Sequence, residues 1–125
     1  MSSDQCTVLK RLLETQMWEE ALAKVDALLV SNPLAAQLYL LRGQLIQLQP
    51  ENTNYSLDDV EKSFQMAVEL DVTYFDALVE LMHFYDAVCP DTSKAVEYAR
   101  KVKAIAQKVL DEASTVLEEE VGTNS

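Results

Sequence analysis

The chain has 125 residues, 21 of them acidic and 10 basic, so its formal net charge is −11. Two glycines are too few for a turn-rich β-sandwich or a glycine-loop nucleotide fold, and so acidic a chain repels the phosphate backbone of nucleic acids. Because 49% of the residues are apolar, the chain can bury a core, which favours one soluble, all-α domain.

Apolar periodicity and cap residues together predict about six helices along the chain. The first helix ends in a tight turn at residues 15–16 and is followed by a second helix that stops near Ser31. Pro33 disfavours a helical conformation at Asn32, and its fixed φ suits the first position of a third helix. That third helix ends before Pro50.

Residues 49–56 are polar and form a predicted loop. Ser56 followed by Asp59 is a variant of the capping box, so it predicts the start of a fourth helix. Thr73 with Asp76 repeats this spacing and predicts the start of a fifth. The chain from residue 92 to about residue 120 has neither glycine nor proline, which predicts a final helix of unusual length.

The second predicted helix carries a pattern that recurs along the chain. Trp18 precedes the small residue Ala21 by three positions, apolar Val25 follows four later, and Pro33 closes the unit. Residues 64–72, with the sequence FQMAVELDV, have a similar ending in which valine replaces the proline. This pattern resembles the second helix and terminal proline of a tetratricopeptide repeat (TPR), a family with a period of 34 residues.

Tyr39 and Gly43 match the aromatic and glycine positions of a first TPR helix. The resemblance implies an all-α, right-handed superhelix of antiparallel helix pairs, built as a single TPR-like domain over residues 1–125. Its expected parts are repeat 1 at about 2–35, repeat 2 at about 36–72 with an inserted loop at 49–56, repeat 3 at about 73–107, and a C-terminal helix extension at about 108–121. An ordinary bundle of five or six helices is the alternative.

In TPR proteins the first helix of each repeat lines a concave groove that binds a segment of another protein. The resemblance therefore implies a protein–protein interaction module, an adaptor or small chaperone, with no enzymatic activity. The implied groove positions are Lys10, Leu13, Gln37, Leu40, Leu41, Gln44, Gln47, Asp76, Val79, Glu80, His83 and Asp86. Packing of Leu40 and Leu41 against neighbouring helices is the alternative interpretation of those two residues.

The acidic residues concentrate in one part of the chain. Residues 51–91 hold ten acids and one base, Lys62, whereas both flanking segments are nearly neutral. This distribution predicts a partner segment that is basic and apolar, although a solvated helix face is an equally acceptable interpretation. TPR domains that clamp a carboxylate terminus use basic groove residues, and here Asp76 and Glu80 replace two of them, so such a clamp is not expected.

Apolar residues recur along the last predicted helix at alternating spacings of four and three. In TPR proteins such a helix caps the stack, but the stripe is longer than the third repeat can cover. The alternative is a helix–helix interface that makes a homodimer or an assembly scaffold. The residues expected in that interface are Val109, Leu110, Ala113, Val116 and Leu117.

Asp76, Glu80 and His83 share one helix face, which leaves metal-assisted catalysis as a distant alternative. No second histidine, phosphate loop or nucleophile motif supports it, so we expect neither metal nor cofactor. The first residues lack the pattern of a secretory leader, and two distant cysteines fit a reducing compartment. These features favour the cytoplasm, with no nucleic-acid or membrane partner.

Overall fold

A computed structural model describes residues 3–50 and 54–123, and every regular element within those ranges is helical. This confirms the all-α class. The helices are α1 (Ser3–Glu14), α2 (Trp18–Ser31), α3 (Ala36–Gln47), α4 (Leu57–Leu70), α5 (Phe75–His83) and α6 (Thr92–Thr123). A π-helical turn, Phe84–Val88, continues α5.

The helices pack chiefly against their neighbours in the sequence, and the α3–α4 and α5–α6 pairs pack most extensively. As far as the first half of α6, the apolar stripe of each helix is therefore buried against the helix before it, the helix after it, or both. Phe64, Leu22, Leu45 and Leu78 are among the largest fully buried side chains. Each contributes about 1.5–3 kcal/mol through removal of apolar surface from water.

Gly43 lets α3 approach α4 closely. A Cβ atom at this position would lie 2.7 Å from Cδ1 and 2.9 Å from Cζ of Phe64, whose ring is fully buried. Carbon atoms in good contact are about 3.5–4.0 Å apart, so the ring occupies the space that a side chain at Gly43 would need. The most extensive helix pair of the fold depends on this glycine.

A part-buried cluster around Arg42 joins α2, α3 and α4. The Arg42 Nε donates to Asp26 Oδ1 at 2.8 Å, and its Nη1 donates to Ser63 Oγ at 2.7 Å. Tyr55 donates its hydroxyl to the other oxygen of Asp26 at 2.8 Å, and its ring lies 5.6 Å from the guanidinium. This hydrogen bond is the main reason that the pKa of Tyr55 is raised.

Ser56 caps α4 as predicted. Its hydroxyl accepts from the Asp59 backbone N–H at 3.4 Å, and the Asp59 carboxylate accepts from the Ser56 backbone N–H at 2.8 Å. The hydrogen bond from the Ser56 backbone is the largest cause of the lowered pKa of Asp59. Both partners satisfy N–H groups that the first turn of a helix leaves without intrahelical acceptors.

Two predicted helix starts are wrong. Pro33 and Leu34 lie in the turn between α2 and α3, where the Ala35 N–H bonds to the Asn32 carbonyl, so α3 begins three residues after the proline. Thr73 does not cap α5 with Asp76, because its hydroxyl donates to the upstream Asp71 carboxylate at 3.3 Å. The N-cap of α5 is Tyr74, and it makes no side-chain capping bond.

The π-helical turn places Tyr85 at the junction of α4 and α6. Its hydroxyl donates to Glu61 at 2.6 Å and accepts from Gln65 at 2.9 Å, and its ring stacks on Tyr98 at 5.7 Å. The Lys94 ammonium lies 5.1 Å from the same ring. Burial and then the hydrogen bond to Glu61 raise the pKa of Tyr85 well above its usual value of 10.0.

Candidate partner-binding surfaces

The structure changes the predicted concave groove, because Leu40 is only 7% exposed and belongs to the core. The prediction that Leu40 contacts a partner is wrong. The physical reason is that α3 packs against both α2 and α4, so two sides of this helix are covered. Leu13 and Leu41 are half-buried and also pack against the core.

Most of the polar groove positions remain accessible. The exposed ones are Lys10, Gln37, Gln47, Asp76, His83 and Asp86, and the half-buried ones are Gln44, Val79 and Glu80. A recess of about 280 Å³ brings Gln37 at the start of α3 beside Asp71 and Tyr74. Burial is the first cause of the raised pKa of Tyr74 and the charge of Asp76 the second. The N-terminal ends of α3 and α5 therefore border a common depression.

Asp76, Val79, Glu80 and His83 form what we call the acidic α5 face. Their spacing of three to four residues places them on adjoining positions of the helix surface. Ion pairs within the described ranges use Asp26, Asp58, Glu61 and Glu97 as acids, and none uses a carboxylate of this face. Its charge is therefore not neutralised by the basic residues of those ranges.

The acidic α5 face adjoins an apolar depression, the His83 recess, of about 350 Å³ between α5, the π-helical turn and the start of α6. Its lining residues are Met82, His83, Tyr85, Asp86, Pro90, Thr92, Ala95, Val96 and Ala99. His83 and Asp86 are exposed, whereas Met82, Ala95 and Ala99 are half-buried. The recess thus combines an apolar wall with Asp86, an acidic residue that the sequence analysis assigned to the groove.

The long helix α6 leaves its neighbours in its second half. Its side chains are partly buried at several positions up to Ile105, but every described side chain from residue 106 to residue 121 is exposed. The predicted interface residues Val109, Leu110, Val116 and Leu117 are 57%, 59%, 58% and 65% exposed. They lie on an uncovered apolar stripe rather than on a face that caps the preceding helices.

A second apolar depression, the Phe75 recess, lies where this stripe passes the start of α5. Its volume is about 420 Å³, and it is lined by Phe75, Ile105, Ala106, Val109, Leu110 and Ala113. Phe75 is 39% exposed despite its size. Contiguous exposed apolar surface of this kind marks interaction sites in folded proteins.

The sequence pattern gave no prediction for the Arg42 and Tyr85 clusters. The available signal was the position of Arg42, four residues after Leu38 and three before Leu45 on the apolar stripe of α3. A charged residue on a core-facing stripe needs a charged or hydrogen-bonding partner, and Asp26 is that partner. Both clusters join helices, and Tyr85 also lines the His83 recess.

Asp76, Glu80 and His83 do not assemble a metal site. Across residues 3–50 and 54–123, the histidine, cysteine, aspartate and glutamate side chains form no group of three suited to hold an ion. In the same part of the chain, the helices lack the combination of length and apolar character needed to cross a membrane. No protein-family model matches the chain, and neither a curated protein nor a solved structure gives a match.

Proposed function

We propose that the chain is a protein–protein interaction module that binds a basic and apolar segment of another protein. The binding surface is the acidic α5 face together with the His83 recess. The observation that carries this function is an apolar depression lined by Asp86 and His83, with Glu80 and Asp76 one and two helical turns before His83 on α5. None of the three carboxylates takes part in an ion pair within the described residues. An interface of this kind provides charge complementarity at its rim and apolar burial at its centre.

Each part of the surface has a distinct role in this function. Asp76 and Glu80 attract lysine or arginine side chains and determine the orientation of the bound segment. Met82, Val96 and Ala99 line a volume of about 350 Å³, which is enough to take one or two apolar side chains. No residue has a catalytic role, and a cytoplasmic location belongs to the same proposal.

A TPR-like superhelix is the proposed architecture that presents this surface. It is supported by the preferential packing of each helix with the next, which is typical of repeat arrays. Gly43 is also at a position of the first TPR helix where the family has glycine. The close approach of the Phe64 ring is a physical reason for a glycine there. Under this architecture the acidic α5 face belongs to the groove side of the third repeat.

Binding can be tested with two synthetic amphipathic peptides, one of leucine and lysine and one in which glutamate replaces every lysine. We expect the basic peptide to bind and the acidic peptide not to bind, as measured by fluorescence anisotropy. Because the attraction is between exposed charges, raising the salt from about 0.05 M to about 0.5 M should weaken binding.

The variant Asp76→Lys with Glu80→Lys should weaken binding of the basic peptide roughly tenfold or more. The matched control is Glu19→Lys with Glu20→Lys, which changes the net charge equally on the exposed start of α2. Circular dichroism should be unchanged in both. Equal weakening by the two pairs would show binding to net charge alone, and unchanged binding in the α5 variant would remove this face from the site.

A further inference from the structure

The charges of α6 divide into two halves of opposite sign. Residues 92–108 contain five bases and one acid, whereas residues 109–123 contain five acids and no base. A helix with this distribution is complementary in charge to a second copy of itself that runs in the opposite direction. In such an antiparallel pair, a basic half lies beside an acidic half at both ends.

The apolar stripe on the uncovered part of α6 has the spacing of a helix–helix seam. Ala106, Val109, Ala113 and Val116 follow one another at intervals of three, four and three residues, and all four are exposed. Intervals that average 3.5 residues keep such a stripe facing a second helix along its length. Two alanines alternate with two valines, so small and larger side chains take turns along the seam.

We propose that α6 forms an antiparallel, two-fold symmetric dimer with α6 of a second copy of the chain. With Asp111 at the centre of the overlap, Ala106 lies opposite Val116 of the second copy, and Val109 opposite its Ala113. A small residue therefore meets a larger one at every level, which lets the two helices interdigitate. The partner helix also fills the Phe75 recess, and by symmetry each copy fills the recess of the other.

The net charges of the two halves agree with this direction and oppose the parallel one. In the antiparallel register the basic half of each helix, which includes Lys103 and Lys108, runs alongside the acidic half of the other, which includes Glu112 and Glu119. A parallel pair would instead place basic half beside basic half and acidic half beside acidic half. Like charges there disfavour association, so the charge pattern selects the antiparallel dimer.

The dimer uses a different surface from the proposed peptide site. The overlap covers residues 103–119, about 25 Å of helix at 1.5 Å per residue. The acidic α5 face does not belong to it, and the His83 recess is lined on α6 only by residues up to Ala99. Self-association and peptide binding can therefore fail or succeed separately.

The first test compares two alanine-to-glutamate variants of the full chain by sedimentation equilibrium. The wild type, of 14.0 kDa, should associate to twice that mass with increasing concentration. Ala113→Glu should raise the dissociation constant at least about tenfold, since it places a charge in the seam without disturbing a monomer in which Ala113 is exposed. Ala104→Glu is the matched control, because Ala104 is exposed on the opposite side of α6 and should leave the constant unchanged.

The second test exchanges the charges of the two halves. Lys103→Glu with Lys108→Glu should weaken the dimer several-fold, because it places acidic residues alongside the acidic half of the second copy, and adding Glu118→Lys with Glu119→Lys should recover most of the loss. No recovery would overturn the antiparallel register, and equal effects of the two alanine variants would overturn the seam. A wild type that stays monomeric at high concentration, yet binds the basic peptide, would refute the dimer and retain the proposed function.

Discussion

Replacing Gly43 by alanine tests whether contact with Phe64, rather than helix propensity, controls the stability of α3. In an uncrowded helix this change stabilises a protein by about 1 kcal/mol. Here the added Cβ would clash with three carbons of the Phe64 ring, Cε1, Cδ1 at 2.7 Å and Cζ at 2.9 Å, and that ring is fully buried. Overpacking of this kind costs about 3 kcal/mol, so we expect a net loss of about 2 kcal/mol.

Urea unfolding followed by far-ultraviolet circular dichroism measures this loss. The variant Phe64→Leu supplies the control, because it removes ring atoms from the space that the new Cβ would need. On that background Gly43→Ala should be neutral or stabilising, and the coupling between the two sites should therefore be large. If Gly43→Ala stabilises the wild-type chain by the usual amount, the close approach of α3 to α4 is wrong.

Two further predictions concern the hydrogen bonds that position α4 and α5. Asp59→Ala should lower the unfolding free energy by about 1 kcal/mol at about pH 7. Since the folded pKa of Asp59 lies below its ordinary 3.8, this stability is present above that value and lost as the pH falls through the folded pKa, so the unfolding free energies of wild type and variant should converge below the folded pKa. Tyr85→Phe should cost about 1–2 kcal/mol in urea unfolding by leaving Glu61 without its donor, whereas Tyr39→Phe, at an exposed hydrogen bond, should cost under about 0.5 kcal/mol.

Local sequence signals predicted the helices well where a residue had only one favourable local structure to form. Ser56 and Asp59 are separated by the spacing of a capping box, and both hydrogen bonds of that box form. The turn predicted at residues 15–16 occurs with Gln16 at a φ of 58°, a conformation that ends α1 abruptly. The run after Thr92 has no glycine or proline before Gly122, and it forms a single helix of 32 residues.

The prediction of helix starts failed where a residue could form either of two local structures. Thr73 has an aspartate two residues before it and another three after it, and the hydrogen bond to Asp71 is the one that forms. Pro33 suits both the first turn of a helix and the turn before one, and here it lies in the turn. Local spacing does not distinguish such alternatives, because tertiary packing determines where the next helix must begin.

The prediction that Leu40 lines the groove failed for a related reason. Apolar residues occur around most of α3, so periodicity does not show which of Leu40 and Leu41 is covered. The answer depends on α2 and α4, which pack on two sides of the helix. For α6 the resemblance implied a cap on the preceding helices, but the stripe is exposed from residue 106 to residue 121, because its length exceeds what α5 can cover.

Packing explains why both apolar recesses lie along α6. Helices α2, α3 and α4 each pack on two neighbouring helices, whereas α6 packs on α5 and its π-helical turn. The His83 and Phe75 recesses lie where α5 meets α6, and from residue 106 to residue 121 every side chain of α6 is exposed. The same lack of cover leaves the stripe of Ala106, Val109, Ala113 and Val116 exposed, which is what the proposed dimer requires.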